Sequence, residues 1–139
     1  MRNMNAEIKS FFYTNLKDDV PAPVYIDEVP QELLTDAYIS IEISTVSDNG
    51  NINSSYTNVS VSVKIYTKED VVNSGEVLEN IATKVYDSLM PNASNYAVIN
   101  NKKCYLFLVS DVTQNLNLTN KYYFKNRFIN FELRDVFNN

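Results

Sequence analysis

No histidine and no tryptophan occur in this chain, and it holds one cysteine and two glycines, Gly50 and Gly75. Each scarcity removes a class of chemistry. Without histidine no Ser-His-Asp triad can be assembled, and no imidazole is present to activate a thiolate. Zinc sites of the histidine or cysteine kind need several such ligands, which the composition does not provide. Phosphate-cradling loops need glycines at a helix start, and these two lie far apart. No EF-hand spacing follows the carboxylate pairs Asp18-Asp19 and Asp27-Glu28, so they read as solvated loop charges. No metal site and no cofactor is expected. No apolar run reaches the ~18 residues that cross a bilayer as a helix, and no membrane contact is expected. The chain opens Met1-Arg2-Asn3-Met4-Asn5-Ala6-Glu7, without an apolar stretch, so no secretory signal is expected either.

At 139 residues the chain is most simply one domain, 1–139. A chain of this size buries about two thirds of its unfolded surface, enough for one core without staples. The formal charge of −5 argues against binding driven by phosphate neutralisation. An acidic wall can still surround DNA without gripping it. Cys104 has no disulfide partner and sits in the apolar run Cys104 to Val109, where a small buried hydrophobe is the natural reading.

Along the chain, Ile8, Phe11, Phe12 and Leu16 recur at helical spacing and predict a first helix over 4–17. Val20-Pro21-Ala22-Pro23 ends it, and Val24-Tyr25-Ile26 is a short extended piece. Tyr38 to Ser44 alternates strictly, with Ile39, Ile41 and Ile43 on one side and Ser40, Glu42 and Ser44 on the other. Val59 to Tyr66 does the same, and the two predict paired half-buried strands. The polar stretch between them carries the turn dipeptide Asn49-Gly50 and predicts a projecting hairpin arm at about 47–56. Thr67-Lys68-Glu69-Asp70 has the form of a capping box and predicts a second helix over about 70–90, stopped by Pro91. Tyr96 to Ile99, a turn at 100–103 and the run Cys104 to Val112 follow as strands, with a polar connection at 114–120. In Tyr122 to Leu133 the apolar phase changes, which predicts either a bulge near Asn126-Arg127 or a strand buried on both sides. The fold class is α+β: an antiparallel or mixed sheet covered on one face by two helices, with the arm projecting.

Chemistry-bearing groups are few. Glu42 and Glu132 are the remaining carboxylates on strand faces, and no spacing marks them as an acid–base pair. Lys121, Lys125, Arg127 and Arg134 interleave with Tyr122, Tyr123 and Phe124, a pattern that suits either a nucleic-acid surface or a strand with core aromatics and solvated charges. Ten tyrosines are many for this length, and tyrosine joins a large apolar ring to a polar tip. Tyr38 and Tyr66 fall in phase with the serines of their strands. That face, with the arm, forms a candidate protein interface: Tyr38, Asp48, Asn49, Asn51, Asn53, Tyr56 and Tyr66.

The order of elements, with Ser60-Val61-Ser62-Val63-Lys64-Ile65-Tyr66-Thr67 stepping into an amphipathic helix and Tyr122 to Arg134 as a last strand, resembles the tail terminator (tail completion) proteins of tailed bacteriophages. The resemblance implies a non-enzymatic structural virion protein at the head–tail junction, assembled in the host cytoplasm. It implies a homo-oligomeric ring, a hexamer or twelve copies in a portal-proximal connector, stacked on neighbouring neck, tail-tube or portal-adaptor proteins. DNA would pass through the lumen without specific binding. The polar strand face and arm are candidates for one side of the ring contact, the first helix and 20–36 for the other. Two alternatives stand beside this: a soluble protein- or ligand-binding adaptor domain unrelated to phage, and a small enzyme using carboxylates. Deleting residues 48–54 is expected to weaken assembly and spare the monomer fold. Loss of the folded circular dichroism spectrum on that deletion would show the arm to be core.

Overall fold

The computed structural model describes residues 5–26, 37–48, 56–68, 74–90, 96–99, 101–117 and 123–137. The elements in chain order are α1 (Asn5–Leu16), β1 (Val24–Ile26), β2 (Ala37–Asp48), β3 (Tyr56–Lys68), α2 (Ser74–Leu89), β4 (Tyr96–Ile99), β5 (Lys102–Asn117) and β6 (Tyr123–Phe137). The strands form one six-stranded mixed sheet in the order β1-β2-β3-β6-β5-β4. Only β1 pairs in parallel, on β2; every other neighbouring pair is antiparallel. The class is therefore α+β.

The alternation read from the sequence holds in β2 and β3. Ile39 and Ile41 of β2 and Val59, Val61, Val63 and Ile65 of β3 are buried. Across the register Ile41 faces Val63, which faces Ile129, and Val61 faces Phe131. β-Branched side chains suit this position because they pack on a pleated surface with little rotamer freedom to lose. Ile8, Phe12 and Leu16 of α1 and Leu78, Ile81, Ala82, Val85 and Leu89 of α2 complete the same core. Their spacing of three and four residues places one apolar stripe of each helix on the sheet. α2 lies over β3 and β6, while α1 touches α2, β1, β2 and β4.

That last set of contacts dictates the shape. β1 and β4 are the two borders of the sheet. A flat sheet of six strands would set its borders roughly 24 Å apart, and a helix is only about 10–12 Å wide. α1 reaches both borders because the sheet curls around it into a half-barrel. Ser88 Oγ donates to Asp19 Oδ2 at 2.9 Å, which ties the segment after α1 to α2. Cys104 is buried, its Sγ 3.5 Å from the Ala97 carbonyl it donates to, as expected of a small core residue.

Five local readings are corrected. Thr67 and Lys68 belong to β3, α2 is described over Ser74–Leu89, and 69–73 lie outside the described residues. Thr67 is fully buried and donates from Oγ1 to the Lys125 carbonyl at 2.9 Å, so a cross-strand bond takes the hydroxyl that a cap would have used. Lys102 and Lys103 open β5 instead of extending the turn, and Asn101 provides the positive φ of 61° that a two-residue hairpin needs. β5 continues to Asn117, through most of the expected polar connection, because it pairs with β6 along that length. β6 pairs regularly through Asn126 and Arg127, and the register shifts lie elsewhere: between Leu108 and Ser110 of β5, between Thr45 and Ser47 of β2, and between Thr57 and Val59 of β3, opposite Leu133 to Val136 of β6. Ser47, Asp48 and Tyr56 of the expected arm are strand residues, with Asp48 opposite Thr57, and 49–55 lie outside the described residues.

Phe131 is fully buried at the crossing of β6 with α2, its ring 6.4 Å from that of Tyr86. Phe131→Ala is expected to cost about 3–5 kcal/mol. Urea denaturation should show this as a lower midpoint at unchanged slope.

Candidate functional site

The sheet surface away from the core carries two groups of side chains. Near the start of β2 an aromatic row crosses four strands. Tyr25 meets Tyr38 edge-on at 6.2 Å, Tyr38 stacks on Tyr66 at 4.8 Å, and Tyr66 meets Phe128 edge-on at 5.8 Å. The Lys64 ammonium lies 5.3 Å from the Phe128 ring centre, and it also pairs with Glu42 at 2.8 Å. Burial, reinforced by Tyr66, pushes the Tyr38 hydroxyl up to about 12. Burial raises that of Tyr66 as well, against a lowering by Lys64. Farther along, Ser62 donates to Asn130 Oδ1, and Asn130 Nδ2 donates to Ser110 Oγ at 2.8 Å, a polar relay across β3, β6 and β5.

The second group sits on β4 and β5 and is exposed: Tyr96, Val98, Tyr105, Phe107 and Val112, next to the bulge residue Val109, while exposed Leu108 lies on the core side. Cations cover part of it, with Lys103 3.9 Å from the Tyr96 ring and Arg134 4.4 Å from that of Phe107. The rest meets solvent. Between α1 and β4 lies a wide groove of about 520 Å³, lined by Glu7, Phe11 and Asn15 on the helix side and Val98 on the strand side.

On the core side, charge closes the end of the apolar rows. Arg127 donates to both carboxylate oxygens of Asp111, at 2.8 and 2.7 Å, and lies 3.3 Å from Glu79 of α2. Tyr86 of α2 donates its hydroxyl to Asp111 at 2.6 Å. This forked arrangement ties β5 and β6 to the helix. The Arg127 hydrogen bond holds the Asp111 carboxyl below its ordinary value, against the raising effect of burial. Burial, and then the bond to Asp111, push the Tyr86 hydroxyl up to about 12.

Of the predicted interface residues, Tyr38 and Tyr66 are brought together, stacked and half-buried. Asp48 and Tyr56 stand at the other end of the β2–β3 ladder, roughly 30 Å away at strand rise. Asn49, Asn51 and Asn53 lie outside the described residues. The described members of the predicted set thus stand at the two ends of the ladder. The basic cluster does not form a face: Arg127 turns to the core side, Arg134 pairs with Glu132 on the outer side, and Lys121 lies outside the described residues. Glu42 and Glu132 are each engaged by a cation on separate strands. Among the described residues no three acidic or cysteine side chains gather as metal ligands, and no helix is long and apolar enough to cross a membrane. Sequence reasoning missed the exposure of β5, because an apolar run of this length reads as a buried strand.

No family model matches the sequence, and no curated protein matches it. Solved structures share the fold. A chain from the virion of a native gene transfer agent particle matches with a TM-score of 0.60 at 14% identity, over 98% of this chain and 100% of that one. A second solved protein matches with a TM-score of 0.61 at 14% identity, over 95% of each chain.

Asp111→Asn keeps the shape and removes the charge that Arg127 grips. It is expected to cost about 1–2 kcal/mol at pH 7, allowing for partial solvent exposure. Because the folded-state value of Asp111 is depressed, its contribution is complete above the unfolded value of 3.8 and fades as pH falls through the folded one. Urea titrations at pH 7 and in strong acid should therefore show the two proteins converging in acid.

Proposed function

We propose that this chain is a non-enzymatic structural component of a phage-like virion that forms a ring at the head–tail junction, as a tail terminator (tail completion) protein or a connector adaptor. The observation that carries this reading is the end-to-end likeness to a gene transfer agent virion chain, 98% of this chain against 100% of that one. What the two share is a whole subunit, not a fragment common to many α+β domains. The aromatic and apolar outer surface supports a protein-binding role, since large exposed apolar patches on a folded domain mark contacts. The acidic balance suits a lumen through which DNA passes without being held.

In this reading the ring holds six copies, or twelve in a portal-proximal connector, and stacks on neck, tail-tube or portal-adaptor proteins. It assembles in the host cytoplasm and resides in the virion, with no membrane stage and no cofactor. Mass photometry and negative-stain microscopy of the purified protein, alone and mixed with the products of neighbouring genes, are expected to show closed rings of six or twelve. A strict monomer at high concentration in every mixture overturns the reading in favour of an adaptor domain, for which the groove beside α1 is the binding feature.

A further inference from the structure

β5 runs out from under the helices. From Phe107 to Thr113 every residue except Ser110 is exposed, so neither face of the strand is covered there. Leu108, Val109 and Val112 are 44%, 61% and 49% exposed. On its outer border β4 pairs with β5 through Lys102 to Tyr105, and no described residue pairs with that side beyond. Exposed strand borders are normally defended by lysine or proline, and residues 106–117 contain neither. The one carboxylate in that run, Asp111, is held by Arg127.

The opposite border has a matching gap. β1 pairs with Ile39, Ile41 and the residue between them, and no described residue pairs with the same side of β2 over 42–48. That run also lacks lysine and proline, and its Glu42 is engaged by Lys64. Strand direction alternates from β2 through β3 and β6 to β5, so β2 and β5 run in opposite senses. A second copy in the same orientation, set with its β2 beside β5 of the first, therefore makes an antiparallel pair like those within the sheet.

We infer that residues 106–117 of one copy pair with residues 42–48 of the next, and that this strand addition is the contact that closes the ring. The inference rests on the ring reading and names its interface. β1 covers β2 up to Ile41 and β4 covers β5 back to Tyr105, and beyond them these two runs have no partner on that side among the described residues. Main-chain bonds supply the contact, and Leu108, Val109 and Val112 lose their exposure to water. Because the two borders differ, the contact is head-to-tail, the kind that closes into a ring under rotation. Pairing of β5 with itself would stop at two copies and leave the β2 border bare.

The test is a Val109→Lys, Val112→Lys double variant. Both residues are exposed, so its melting temperature should match the unaltered chain. Mass photometry should show rings only at a protein concentration about ten-fold higher or more, a shift of about 1.4 kcal/mol. In a second arm, Cys104→Ala chains carrying Ser44→Cys with Val109→Cys, Val112→Cys or Thr113→Cys are oxidised. At least one should give a ladder of covalent multimers on a non-reducing gel, and Ser44→Cys alone should give none. Rings of the unaltered chain that persist unchanged in the lysine variant, with no ladder from any cysteine pair, overturn the inference and leave the ring reading standing. A covalent dimer from Val109→Cys alone also overturns it, in favour of β5–β5 pairing. An unaltered chain that is monomeric alone and with its neighbours removes the ring reading itself.

Discussion

The buried stripes of α1 and α2 share one core with the inward rows of the strands, and much of the architecture follows from that sharing. α2 sits on β3 and β6, the middle of the sheet, where the β-branched rows are densest. α1 has to serve both borders, and it can do so only because the sheet bends to meet it. Dispersion and the hydrophobic effect reward that bending, since each buried Ile, Val or Phe contributes about 1.5–3 kcal/mol and flat strands would leave several of them wet. The cover still runs out on β5. Leu106 is buried, and Leu108, one step along the same side, is 44% exposed. The bulge at Val109 then reverses the phase, so that Ser110 joins the polar relay on the outer face while Asp111 turns toward Arg127 and α2. The border of the core is thus marked by a change from methyl groups to a forked ion pair.

That pair explains how a strand outside the core stays in place. An exposed ion pair between flexible side chains contributes little to stability. Here both partners lie on neighbouring strands that are already fixed by the sheet register, and Tyr86 and Glu79 reach them from the helix. Little side-chain freedom remains to be lost, and the planar guanidinium meets the carboxylate with two bonds. The aromatic row on the other side works on the same logic, since Tyr25, Tyr38, Tyr66 and Phe128 are brought together by register and not by adjacency in sequence.

The element order, the β2–β3 hairpin and the inward residues of β3 were legible because strict alternation has one consistent reading: only a half-buried strand places Val59, Val61, Val63 and Ile65 together. The reversal in β5 was not legible. Leu106-Phe107-Leu108-Val109 is apolar on both sides, so no period distinguishes a core strand from one whose cover comes from elsewhere. The capping box at 67–70 misled because a local pattern competes with pairing: Thr67 lies between Ala37 and Lys125, and the sheet uses its hydroxyl. Asn126 was half legible. The phase change there reads as a bulge or as a strand buried on both sides; the pairing is regular, Asn126 is fully buried in β6, and among the described residues neither of its amide atoms has a hydrogen-bond partner. Of the candidate interface, the tyrosine pair was visible from phase alone, while the β5 border required the fold.

The titrating groups tied into this scaffold are displaced away from neutrality in both directions. Asp111 is held low by Arg127, whereas Tyr38 and Tyr86 are driven to about 12. Histidine, the side chain that changes charge between about pH 5 and 8, is absent from the sequence, and the one thiol is enclosed. The contacts that hold the sheet to its helices consequently sense almost no difference between mildly acidic and mildly alkaline surroundings. A fold held by such contacts has little in them that registers acidity.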